Sequence, residues 1–227
     1  MNLAICISGV NDKGSNIVDL LRQKIKGANF YYHTWSNKTN LIPKEMHERL
    51  FTMHYPKWHY HPMDVNPPSK HLKYQKYRNS NKIDDLYWGL APIIAHADVC
   101  SKIPKHHDII IRVDWNTQID RQVPIENWIR FANEKGPVGF MTRESRGPKF
   151  GSGRVEEVDK LNPEDDWYGF LPCDFLIHHR DHFNITLMNK LINEKKLYPH
   201  EWGWYQVMSE WQNDKHISMH GFVSKIK

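Results

Sequence analysis

Cysteine is scarce in this chain of 227 residues. Cys6, Cys100 and Cys173 are odd in number, far apart and never in a CxxC pair, which argues against a disulfide framework and against a thiolate zinc site. Cys6 and Cys173 sit in apolar runs, where buried free thiols are expected. Long hydrophobic runs are also missing. The most apolar N-terminal stretch, Leu3 to Val10, is broken by Ser8 and Gly9, far short of the roughly 18 uninterrupted apolar residues of a membrane-spanning helix. It lacks the basic flank and the length of a secretory segment, so a soluble, cytoplasmic protein is expected. Neither a GxxxxGK[ST] P-loop, a GxGxxG fingerprint nor an HExxH pair occurs, and no internal repeat stands out.

What is present suits a globular chain. Hydrophobic residues make up 40% and charged residues 25%, with 9 Trp, 10 Tyr and 9 Phe, a mixture that can bury a core and excludes a disordered chain. The size excludes a lone minidomain. Lys and Arg number 31 against 26 Asp and Glu, a net charge of +5, which favours anionic partners without separating nucleic acid from nucleotide or phosphosugar.

The pattern along the chain opens as β-α-β. Leu3 to Gly9 is an apolar run ending in a small-residue turn, and Ser15 to Lys26 places Ile17, Leu20, Leu21 and Ile25 at helical spacing behind a Ser cap. Phe30 to Trp35 is aromatic and β-prone. Such an opening predicts a parallel sheet with right-handed crossovers. Loops are expected from Ser36 to Lys73, with one short strand near Met63 to Val65. A helix capped by Asn79 to Asn81 should run to about Ser101, kinked or divided at Pro92. Asp108 to Val113 reads as a strand buried on both faces, Ile125 to Glu134 as a helix and Pro137 to Thr142 as a strand. Residues 143–165 form a loop carrying Arg143, Arg146, Lys149 and Arg154, then Cys173 to Ile177 is a strand, and Arg180 to Glu194 and His200 to Asn213 are helices.

Several residues point to chemistry. Arg112, Asp114 and Asn116 stand at the carboxyl end of the most buried strand, where ligands of open α/β sheets bind. A carboxylate there, with an amide two residues on, could hold a divalent cation bridging a diphosphate; the plainer reading is an Asx turn. Ser8 and Gly9 end the first strand, where a small turn lets backbone amides approach a base or phosphate. Asp174 and Glu201 are candidate general bases, although an acid in the first turn of a helix is explained by the macrodipole alone. His178 and His182 have the i, i+4 spacing of a zinc pair on a helix, yet with 15 histidines in the chain and no third ligand at a diagnostic spacing, structural or surface roles are preferred. Trp202, Trp204, Tyr205 and Trp211 could line a sugar-stacking surface, and core packing is preferred for them.

The order of these blocks carries a resemblance. Ile5-Cys-Ile-Ser-Gly9, Tyr32-His-Thr-Trp35, Asp85-Leu-Tyr-Trp88, Asp108-Ile-Ile-Ile-Arg112, Cys173-Asp-Phe-Leu-Ile177 and Tyr198-Pro-His-Glu201 together resemble the small GT-A-like glycosyltransferases of surface-polysaccharide and lipopolysaccharide synthesis, including phage- and virus-encoded members. The resemblance spans most of the chain. It departs where the family has Arg-x-Arg-x-Asp and this chain has Arg112-Val-Asp114-Trp-Asn116, closer to a DxD-type metal motif, and where Val10 replaces a Gln.

The resemblance implies a single α/β domain over residues 1–227, with a Rossmann-like, GT-A-type, mostly parallel central sheet flanked by helices. It implies a nucleotide-sugar donor held near Ser8, Gly9, Arg112, Asp114 and Asn116, with Mn2+ or Mg2+ on Asp114 and Asn116. Asp174 and Glu201 would be the catalytic carboxylates, and a glycan or lipopolysaccharide-type molecule the acceptor. Two alternatives come from other classes. One is a non-catalytic nucleic-acid-binding protein, which the scattered charge and lack of an arginine-rich tract disfavour; the other is a degenerate transferase that only binds nucleotide. On sequence alone Asp114, at a strand end, should matter to binding and not to stability.

Overall fold

The computed structural model describes residues 2–55, 83–119, 125–134, 136–142, 155–157, 174–197, 200–208 and 217–225. Strand β1 (Leu3–Ser8) leads through helix α1 (Ile17–Lys24) to β2 (Asn29–Trp35), and two 3-10 turns follow before β3 (Leu50–Met53). Helix α2 (Ile83–Lys102) precedes β4 (Ile109–Asp114) and the short β5 (Thr117–Ile119). Helix α3 (Ile125–Glu134), β6 (Val138–Thr142), β7 (Val155–Glu157) and β8 (Phe175–His179) come next, then helices α4 (Ile185–Asn193) and α5 (His200–Val207) and strand β9 (Ile217–Lys225).

Among the described residues these strands form one sheet in the order β3-β2-β1-β4-β8-β6-β9-β5, with β7 also on β9. β1, β2, β3, β4, β6 and β9 run one way; β8, β5 and β7 run against them. The sheet is therefore mostly parallel, and its 3-2-1-4 half is Rossmann-like. From β1 the chain steps to β2 on one side and later returns to β4 on the other, which makes the β1–β4 seam a topological switch point.

Helices cover both faces. Leu3, Ile5 and Ile7 of β1 with Ile109, Ile111 and Val113 of β4 pack against Ile17 and Leu21 of α1 and Ile125 and Ile129 of α3. The alternate residues Ala4, Cys6 and Ile110 meet Leu90, Ile93 and Ala97 of α2 and Trp204 of α5. Period-2 alternation on a fully buried strand produces the two cores, and each buried Ile contributes about 1.5–3 kcal/mol relative to exposure. Among the described residues no helix is long and apolar enough to cross a membrane.

Several expectations are corrected. Helix α1 starts at Ile17, and its cap residue Asn16 makes no side-chain cap bond; Ser15 Oγ instead accepts from Ile17 N at 3.1 Å. A strand, β3, lies inside the segment expected to be loop. Pro92 does not divide α2. Arg180 to Glu194 is split, because a 3-10 turn at Arg180–His182 ends before Asn184, whose side chain caps α4 by accepting from Leu187 N at 2.8 Å. The strand at Met63 to Val65, the Asn79 to Asn81 cap, the basic residues at 143–154, Trp211 and Cys173 lie outside the described residues.

The histidines have a structural use. His178 is on β8 and His182 on the 3-10 turn, so they do not share a helix. His178 Nδ1 lies 2.8 Å from the His179 carbonyl and must donate to it, which leaves Nε2 as an acceptor for His96 Nε2–H at 2.9 Å. Both rings are buried, with Phe183 and Trp204 around His96. Burial pushes His178 down to about 3, holds His96 well below its usual range, and holds the buried His33 at about 4. Cys6 and Cys100 are buried free thiols, and burial pushes Cys100 up to about 12.

Because these histidines are neutral when folded and bind protons below about pH 6.5 when unfolded, the stability they support is present above pH 6.5 and is lost as pH falls toward their folded values. For His178 alone the loss at pH 5 is about 2 kcal/mol, from about 1.4 kcal/mol per pH unit. Thermal midpoints measured from pH 8 to pH 4.5 should be flat above pH 7 and fall below pH 6.5; a midpoint unchanged between pH 6.5 and 5 contradicts the assignment.

Candidate functional site

β1 and β4 pair with Ser8 opposite Asp114, so their carboxyl ends finish side by side. Even-numbered side chains on both strands face α2, and a cleft of about 360 Å3 opens there between the strand ends and Ala91, Pro92 and Ala95 of that helix. Ser8, Gly9, Arg112, Asp114 and Asn116 all line it. Its volume is that of a small-ligand site.

The backbone around it is pinned. Trp115 N donates to the Ser8 carbonyl at 3.2 Å, and Thr34 Oγ1 donates to the Gly9 carbonyl at 2.9 Å. Gly9 has φ of +106°, and a Cβ built on it would lie 4.0 Å from Asp114 Oδ1. Space is available, but the backbone conformation favours glycine. Trp115 stacks on Tyr32 and donates Nε1–H to the His33 carbonyl, anchoring the turn that presents Asp114 and Asn116.

Arg112 is 1% exposed; its guanidinium bonds Asp114 and lies over the Trp204 ring. Asn116 Nδ2 donates to Asp12 Oδ1 at 2.8 Å and to the Val10 carbonyl at 3.3 Å, which leaves its buried Oδ1 without a hydrogen-bond partner. Ser8 is 2% exposed, and its Oγ is likewise without one. Buried polar atoms left unsatisfied cost stability unless something else meets them. Among the described residues four charged side chains line the cleft, Lys38 and Arg112 against Asp12 and Asp114.

Asp174 sits beside the cleft. Its carbonyl accepts from Asp114 N at 3.2 Å and from Thr117 Oγ1 at 3.3 Å, although Asp174 is not part of the lining. Glu201 falls in the first turn of α5, and its side chain lies outside those described. Trp204 is fully buried core. Among the described residues no set of three His, Cys, Asp or Glu side chains is arranged to hold a metal. An oxygen-seeking cation at Asp114 and Asn116 would have the orphaned amide oxygen and a carboxylate as donors, which fits its chemistry, and would need substrate oxygens to complete its shell.

Sequence reasoning missed Asp12, Trp35, Lys38 and Tyr55, all of which line the cleft. The rule that singled out Asp114, a side chain at the carboxyl end of a parallel strand, applies equally to Trp35 on β2. Tyr55 and Lys38 reach the cleft through β3 and the turn after β2, which no local pattern announced.

No protein family and no curated protein matches the sequence. Similar solved structures include a 4-diphosphocytidyl-2C-methyl-D-erythritol synthase from Anaerococcus prevotii, at 8% identity and TM-score 0.48 over 97% of this chain and 87% of that one. A mannose-1-phosphate geranyltransferase from Thermus thermophilus matches at 9% identity and TM-score 0.47 over 98% and 75%. At that level the chemistry of those enzymes does not transfer to this chain.

The buried Arg112 changes the expectation that Asp114 is neutral for stability. Asp114→Ala should cost about 1–3 kcal/mol in a denaturant titration, since it removes the carboxylate that balances a buried guanidinium. Combining it with Arg112→Met should recover most of that loss. Additive losses in the double variant would contradict a coupled pair.

Proposed function

We propose that the protein is a nucleotide-sugar-dependent glycosyltransferase whose donor binds in the cleft at the β1–β4 switch point. The observation that carries this reading is the convergence, at that seam, of the orphaned Ser8 Oγ, the glycine turn at Gly9, the orphaned Asn116 Oδ1 and the Arg112–Asp114 pair. Unsatisfied polar atoms lining a concave strand-end cleft are what a polar ligand would satisfy.

The charge balance supports cation assistance. Among the described residues two cationic and two anionic side chains line the cleft, so their charges balance one another. Mn2+ or Mg2+ bound by Asp114 and Asn116 would neutralise the leaving diphosphate when present. Ser8 and the Gly9 backbone would contact the nucleotide, and Arg112 would hold Asp114 in place. In the transfer, the acceptor hydroxyl oxygen forms its bond to the anomeric carbon, the bond from that carbon to the diphosphate oxygen breaks, and a carboxylate takes the hydroxyl proton. Asp174, which immediately precedes β8 and whose carbonyl accepts from Asp114 N, and Glu201, in the first turn of α5, are the candidates for that base. The acceptor is proposed to be a glycan or lipopolysaccharide-type molecule on the resemblance of the sequence alone.

Thermal midpoints with uridine, guanosine, adenosine and cytidine diphosphates and their sugar conjugates, with and without manganese, test the reading. One nucleotide should raise the midpoint, more so with manganese, and Asp114→Ala should lose the manganese-dependent part. No shift with any nucleotide would overturn the proposal.

A further inference from the structure

His33 is a buried titratable group beside the cleft to which the donor reading gives no task. Its main chain already serves the site, since its carbonyl takes the Trp115 Nε1–H and the next residue, Thr34, donates to the Gly9 carbonyl. Its ring is fully buried and edge-on to Trp35 at 5.3 Å, and neither Nδ1 nor Nε2 has a hydrogen-bond partner. An apolar side chain would fill that space without leaving two polar atoms unmet. Two groups stand near enough to meet them. β1 and β2 pair with Ile7 beside Tyr32, so Ser8 and His33, one residue further along each strand, are neighbours across about 4.8 Å. They face the same way, because Cys6 and Tyr31, two residues back, both pack beneath α2. Ser8 Oγ is itself buried without a partner. From the other side α2 brings Asp98 Oδ2 to 4.0 Å from His33 Nε2, roughly 1 Å beyond a hydrogen bond. The Asp98 side chain is 21% exposed and is held by Lys102 Nζ at 2.6 Å.

Burial keeps the His33 ring neutral, at about 4, against the pull of Asp98 and with Lys102 opposing that pull; His96, also on α2, lies within reach of its charge. A neutral imidazole has one N–H and one lone pair. With a carboxylate facing Nε2, the N–H belongs on Nε2 and the lone pair on Nδ1, and the hydroxyl of Ser8 is the donor that the neighbouring strand supplies. We propose that Asp98 and His33 are positioning residues for Ser8: when a ligand fills the cleft, His33 Nε2–H closes onto Asp98, Nδ1 accepts the Ser8 Oγ–H, and the serine oxygen keeps its lone pairs for the ligand. The inference rests on the donor reading above, which gives Ser8 to the nucleotide. The chain of bonds meets all three orphaned atoms at once and ties the floor of the cleft to the partly exposed side of α2. A hydroxyl fixed in one orientation loses less freedom on binding than one free to rotate, so His33 and Asp98 raise affinity without touching the ligand.

Isothermal titration of the best-binding nucleoside diphosphate with manganese at neutral pH, against the wild-type protein, Ser8→Ala, His33→Leu and the double variant, tests this. Each single change should weaken binding by about threefold to tenfold, and the double variant should bind no more weakly than Ser8→Ala, because the two side chains act as one unit. A histidine that only filled space would give losses that multiply. The thermal midpoint of His33→Leu should match or exceed that of the wild type, since the change removes two unmet polar atoms from the interior. If that midpoint falls, the same cycle with Asp98→Ala, at a partly exposed position, decides: the change should weaken the wild type and leave Ser8→Ala unaltered. Wild-type affinity in Ser8→Ala, wild-type affinity in His33→Leu, or losses that multiply in the deciding cycle overturn the inference. If the wild-type protein binds none of the four nucleoside diphosphates, the donor reading falls and takes this inference with it; binding that Ser8→Ala weakens while His33→Leu and Asp98→Ala leave it unchanged defeats the positioning role alone.

Discussion

β1 and β4 pair in parallel from Leu3 with Ile109 to Ser8 with Asp114, and because side chains alternate along a strand, that register sorts the residues of both strands onto two faces at once. Odd positions build the core under α1 and α3. Even positions pass from Ala4, Cys6 and Ile110, packed beneath α2, to Ser8, Arg112 and Asp114 at the strand ends. A slip of one residue would send Ser8 and Asp114 into the apolar layer and Ile7 and Val113 into the cleft. The site is thus a continuation of the packing, carried one step beyond the point where the sheet stops being covered.

At that boundary the protein keeps polar groups that a core would not tolerate. Arg112 is buried with its charge against Asp114 and its plane over Trp204, an arrangement whose cost in desolvation is offset only by good geometry. Behind it, His96 donates to His178 in one hydrogen bond that requires the His178 ring to be neutral. Protonating His178 would set one N–H against another in a dry interior. The α2 face of the sheet therefore grades from apolar, through neutral polar, to charged as it approaches the cleft.

Much of the fold was legible in the sequence, and the misses have physical causes. β4 announced itself by Ile109, Ile110 and Ile111, and α3 by its strong amphipathic period. β3 is a four-residue strand, at the end of the sheet among the described residues, half-exposed and preceded by two 3-10 turns, too short to show alternation. β5 spans three residues and gains its place only by pairing with β9, which is distant in sequence. His178 and His182 looked like one helical pair because spacing says nothing about where a strand ends; the bond from Arg180 N to the Asp108 carbonyl at 2.7 Å closes the corner between them. Of the residues that line the cleft, the strand-end rule singled out Ser8, Gly9, Arg112, Asp114 and Asn116. It passed over Trp35 because an aromatic residue ending an aromatic strand reads as core, and its partner Tyr55 arrives from a different strand.

Hydrogen exchange of the backbone amides, with and without a saturating nucleoside diphosphate and manganese, shows whether the proposed nucleotide site lies at the strand ends of the β1–β4 seam. Added protection is expected only in the segments after β1, β2 and β4, around residues 8–12, 35–38 and 114–117. Protection centred on β9 or α4, with those three segments unchanged, would contradict that placement.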